Sequence, residues 1–121
     1  MENLDLRCAK LGKTLAEQKN VDDPLLTNAL AVLEEQGVYA FFLYLQARGK
    51  EPEKAMSRAC EDFLKRTPAA LPLLKEGDVW QALQQLAENL DNLLFARDLL
   101  CQALVYGRYH AKACTAPRGE R

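Results

Sequence analysis

The chain has 121 residues, 49% hydrophobic and 27% charged, with a formal net charge of −1. This length suits one domain that buries about two thirds of its unfolded surface without staples. The near-zero charge argues against a freestanding nucleic-acid binder, no apolar run approaches the roughly 20 residues of a bilayer span, and charges at Glu2, Asp5, Arg7, Lys10 and Lys13 break any signal-peptide core, which makes the cytoplasm the expected location.

The first helix is expected over 3–19, where Leu4, Cys8, Leu11 and Leu15 recur at spacings of four, three and four and share one face. Arg7, Lys10 and Lys13 follow every third residue and form a basic stripe beside that face. Asn20 to Asp23 is a break, with Asp23 suited to cap the second helix and Pro24 to occupy its first position. That helix runs to Gln36 and buries Leu26, Ala29, Leu30 and Leu33.

Gly37 punctuates the chain before an unbroken run of eight apolar residues, Val38 to Leu45. Periodicity alone cannot separate a buried strand from a buried helix in so short a run. The helix formers on both sides favour helix, and 38–48 is expected to be the buried central helix of an all-α bundle. Pro52 opens a fourth helix over 52–66, with Ala55, Met56, Ala59, Cys60, Phe63 and Leu64 as its inward face. Thr67 to Gly77 is an irregular connection whose Leu71, Leu73 and Leu74 should pack down on the bundle. Asp78 and Gln81 resemble a capping box that starts a fifth helix, with Trp80, Leu83, Leu86 and Leu90 as its buried face.

The last helix, about 91–113, is the longest, with Leu93, Ala96, Leu100, Ala103, Leu104, Gly107 and Ala111 on its apolar arc. At ~100° per residue, Arg97, Arg108 and Lys112 fall within about 60° of one another along the edge of that arc. If the first and last helices lie side by side, the two basic stripes would merge into one track. From Arg97 onward five basic residues face two acidic ones, a local +3 that leaves −4 for the remainder. Gly107, with Ala103 and Ala111, makes a flat strip that another helix of this chain or of a second copy could approach closely, and weak self-association is expected there. The domain is bounded at 1–114, and 115–121, with Pro117 and Gly119, is expected to be a disordered tail.

Catalytic signatures are lacking: there is no glycine-rich phosphate loop, HExxH, GxSxG or paired-carboxylate motif. Cys8, Cys60, Cys101 and Cys114 are scattered without a CxxC pair, which makes a metal site improbable and fits free thiols in a reducing compartment. His110 and Cys114 are one helical turn apart, but nothing in the sequence orients the imidazole. No enzyme activity and no cofactor are expected.

Two segments together resemble a known family. One is ALAVLEEQGVYAFFLYLQARGKE over 29–51, and the other is FARDLLCQALVYGRYHAKA over 95–113, with its Tyr106-x-Arg108-x-x-Ala111-x-Ala113 pattern. They look like the small α-helical subunit of type III (Cmr-type) CRISPR RNA-guided effector complexes, although Tyr106 stands where a tryptophan is common there and the proline that often precedes the family's glycine is missing. The resemblance implies a non-catalytic six-helix protein that stacks in an antiviral ribonucleoprotein beside other subunits and lines the channel for guide RNA and target RNA. It places Arg108 at the basic position of the terminal helix, and Arg7 and Lys10 in a basic first helix. Arg7, Lys10, Lys13, Arg97, Arg108 and Lys112 are the candidate nucleic-acid-binding residues. The alternative is a protein-only helical adaptor or dimerisation module with no nucleic-acid role.

Overall fold

A computed structural model describes residues 2–115, with side chains as far as Ala113. Six helices follow in order: α1 (Leu4–Glu17), α2 (Asp23–Gln36), α3 (Val38–Arg48), α4 (Glu51–Arg66), α5 (Val79–Ala87) and α6 (Leu90–Thr115). Among the described residues there is no strand. The tail beyond Thr115, expected to be disordered, lies outside the described residues; Thr115 itself belongs to α6.

Local chemistry explains the boundaries. Asn3, Asp22 and Asp78 each accept a backbone N–H three residues ahead, at 3.0, 3.0 and 3.2 Å, and start α1, α2 and α5. The cap of α2 is therefore Asp22, one residue before the Asp23 that the sequence suggests, because Asp22 keeps the extended backbone a cap requires. Gly37 both ends α2, donating to the Leu33 carbonyl at 3.0 Å, and begins α3, accepting from the Phe41 N–H at 3.0 Å. Its φ of 100° and ψ of −175° lie in a region open essentially to glycine alone.

The hub of the bundle is α6, which packs on α1, α2, α3 and α5. Cys8 donates its thiol hydrogen to the Leu99 carbonyl at 3.4 Å, while Gly12 lies against Ala103 and Gly107, so α1 and α6 run parallel. A Cβ on Gly12 would stand 2.6 Å from the Ala103 carbonyl oxygen and 2.7 Å from the Gly107 nitrogen. One on Gly107 would stand 3.3 Å from the Gly12 oxygen. The flat strip on α6 is thus filled from within the chain: Ala103 and Ala111 are buried, and Gly107 meets α1 and Leu26 of α2. Gly107 is not available to a second copy.

The apolar run behaves differently from its expected role at the centre. Val38, Phe41, Phe42 and Leu45 are buried, a spacing of i, i+3, i+4 and i+7 on one face. Leu43, on the other side, is 50% exposed and Tyr39 is 37% exposed. A run of eight apolar residues points all round a helix, but α2, α4, α5 and α6 cover α3 from one side. Around Leu43 this leaves a shallow apolar groove lined by Val32, Ala40, Tyr44 and Ala47.

The connection between α4 and α5 packs through Leu74, fully buried with its N–H on the Leu64 carbonyl at 3.1 Å, whereas Leu71 stands out in solvent. Leu90, expected inward, is exposed at the start of α6, since α5 ends at Ala87. Trp80 is half-buried against Tyr39, ring centroids 5.6 Å apart. At the α3–α4 corner the nearly buried Glu53 accepts from Arg48 Nε at 2.6 Å, and this bond holds its carboxyl below the usual range.

Two stability results are expected from equilibrium denaturation. Within the apolar run, Phe41→Ala should cost about 3–5 kcal/mol and Leu43→Ala less than about 1 kcal/mol; equal losses would contradict the one-sided burial of α3. At the crossing, Gly12→Ala should destabilise by about 1–3 kcal/mol despite alanine's better helix propensity. Gly107→Ala, with a looser 3.3 Å contact to Gly12, should change stability far less.

Candidate nucleic-acid interface

The six candidate cations do not form one track. α1 turns Cys8 and Gly12 toward α6, which swings Arg7 and Lys10 round toward α4. On α6, Arg108 faces α2, where its Nε donates to Asp23 Oδ1 at 3.1 Å with both side chains about one third exposed. The helices lie side by side as expected, but their stripes flank the contact and look toward different neighbours.

Each residue then has its own setting. Arg97 is half-buried with Asp98 Oδ1 at 3.9 Å, and Lys112 is exposed further along α6. Lys13 is exposed on the outer side of α1 and does not line the space next to α4. The Tyr106 to Ala113 pattern turns out to serve packing: the Tyr106 hydroxyl donates to Asp5 at 2.7 Å, Arg108 holds Asp23, and Ala111 is buried. Arg108 therefore ties α6 to α2 rather than standing free for a ligand.

Arg7 and Lys10 enter a cleft of about 480 Å³ between α1 and α4. Its third cation is Arg66 at the end of α4, which the sequence pattern does not single out because Glu61 and Asp62 balance the basic residues along that helix. Arg7 is held in place by Glu2 and by donating from Nη2 to the Arg66 carbonyl at 3.2 Å. Glu2 also accepts from the Ala69 N–H at 3.0 Å, which pins the N-terminus across the end of α4. Arg66 pairs with Asp62 at 3.1 Å, both side chains well exposed, an ion pair of the kind worth at most about 1 kcal/mol. Lys10 makes no ion pair among the described residues. Leu11 and Phe63, nearly buried, and Ala59, half-buried, floor the cleft, and Thr14 and the Asp62 carboxylate complete its lining.

The described thiols suit packing. Burial pushes Cys60 up to about 12 and is the main cause of the rise of Cys8 and Cys101 to about 11, so all three stay protonated near neutrality and are poor nucleophiles. The side chain of Cys114, which the sequence sets one turn from His110, lies outside the described residues. Among the described residues no group of three or more His, Cys, Asp or Glu could hold a metal ion, and no helix is long and apolar enough to cross a membrane.

These settings separate the cations experimentally. Arg108→Glu would set a carboxylate beside Asp23 and should lower stability by about 1 kcal/mol or more, while Lys10→Glu and Lys13→Glu should stay within about 0.5 kcal/mol of the parent in thermal denaturation. An Arg108→Glu protein as stable as the parent would contradict the tie between α6 and α2.

Comparison of the chain with protein-family models, with curated proteins and with solved structures returned no match.

Proposed function

We propose that the chain is a non-catalytic structural subunit of a CRISPR antiviral ribonucleoprotein effector, stacking among other subunits and contacting guide or target RNA through its phosphates. The observation that carries the RNA contact is the α1–α4 cleft, where Lys10, which makes no ion pair among the described residues, stands with Arg7, paired to Glu2, and with Arg66, whose exposed pair with Asp62 can be exchanged for a phosphate. Contacts to phosphate are sequence-independent and release condensed counterions, so a few cations suffice when other subunits supply the rest. The family assignment rests on the two segments over 29–51 and 95–113, and their helices α2 and α6 pack on each other in the bundle. The half-exposed apolar side of α3 supports the stacking part, since a groove without charged lining residues does not repel a neighbouring protein.

Tagged full-length chain, purified from its native host, should carry other effector subunits and a guide RNA in fixed proportion. In that complex Lys10→Glu with Arg66→Glu should weaken RNA retention, each lost phosphate contact lowering the salt-dependence slope by about 0.7–0.9. Recovery of the chain alone, or with protein partners and no RNA, would contradict the proposal, and the second outcome would favour the protein-only adaptor.

A further inference from the structure

Within that reading, and resting on it, we infer that the α1–α4 cleft seats an unpaired nucleotide of single-stranded RNA, its base on the apolar floor and its phosphates on the basic rim. A surface that only follows a duplex needs cations at phosphate spacing and nothing beneath them, because paired bases are stacked inside the helix. Here three cations, with the Asp62 carboxylate among them, stand over an apolar floor of Leu11, Phe63 and Ala59. A basic groove combined with an apolar or aromatic seat for bases is the general design of single-strand binding. The cleft's volume of about 480 Å³ lies within the ~300–1,000 Å³ that holds small ligands, room for a base and its sugar.

The rim has a division of labour. Arg7 is fixed from two directions, by Glu2 and by the Arg66 carbonyl, so its guanidinium is ordered before any ligand arrives. Arg66 and Lys10 are adaptable: the Arg66–Asp62 pair at 3.1 Å is exposed enough to be exchanged for a phosphate, and Lys10 is exposed. The cations come from both walls, Arg7 and Lys10 from α1 and Arg66 from α4, so phosphates on either side of a seated base can be met.

Fluorescence anisotropy on the purified full-length protein at low salt tests this with four probes: labelled oligouridylate, an abasic ribose-phosphate oligomer of the same length, an RNA duplex, and a peptide alternating aspartate and leucine. Oligouridylate should bind at least about 5-fold more tightly than the abasic oligomer, the lower end of what one seated base contributes, and more tightly than the duplex or the peptide. Thr14→Phe, a change at an exposed rim position, should plug the cleft and abolish the advantage over the abasic oligomer while leaving the salt slope unchanged. Lys10→Glu should instead lower that slope by about 0.7. Equal binding of the oligouridylate and abasic oligomers, no binding of oligouridylate, or tighter binding of the duplex or the peptide would each overturn the inference. If co-assembly with effector subunits persists in those cases, the subunit reading stands and only the nucleotide seat falls; if co-assembly itself fails, the subunit reading falls with it.

Discussion

The close crossing of α1 and α6 at Gly12 and Gly107 is the constraint on which the rest of the structure depends. A Cβ on Gly12 would stand only 2.6 Å from a carbonyl oxygen of α6, so the contact has no room for a side chain on α1 at this point. That closeness commits one face of α1 to α6 and brings Cys8 onto the Leu99 carbonyl. It also decides where the charges go. Rotating α1 to expose Arg7 and Lys10 beside the α6 cations would pull Gly12 out of the crossing and leave buried Leu11 and Leu15 without their neighbours. The basic residues of α1 are therefore turned toward α4, and the cleft there is a consequence of packing on the opposite side of the same helix.

Much of the fold was legible because the signals were local. Pro24, Pro52, the Asp78 cap and Gly37 act through their own backbone and nearest neighbours, and each stands at or within one or two residues of a helix end. The role of α3 was legible only in part. An unbroken apolar run hides which of its residues face inward, since the i, i+3, i+4, i+7 pattern of Val38, Phe41, Phe42 and Leu45 is masked by Tyr39, Ala40, Leu43 and Tyr44 between them. Gly107 announced a close helix approach, but its partner is Gly12, a glycine that no local pattern singles out.

The candidate site was the least legible part, for a physical reason. Angles around a single helix place Arg97, Arg108 and Lys112 on one line correctly, yet say nothing about what lies opposite. Asp23 lies opposite Arg108, and that pair, together with the Tyr106–Asp5 bond, joins α6 to α2 and to α1. An arginine that reads as part of an RNA-contacting edge in one helix, Arg108, thus becomes a tie between helices. The converse holds for Arg66: balanced by Glu61 and Asp62 along α4, it gains its meaning only when α1 is laid beside it.

A chain of net charge −1 can still bring cations together between two helices, over a floor the core has already made apolar. On the proposed function, RNA meets this place and not the α6 edge. Ultraviolet cross-linking of the assembly that the tagged chain brings down from its host, followed by mass spectrometry of the cross-linked peptides, tests it most directly. The account predicts nucleotide adducts on peptides spanning 7–14 of α1 and 59–66 of α4. Adducts confined to 97–112 of α6, or none on this subunit in a complex that retains its RNA, would contradict it.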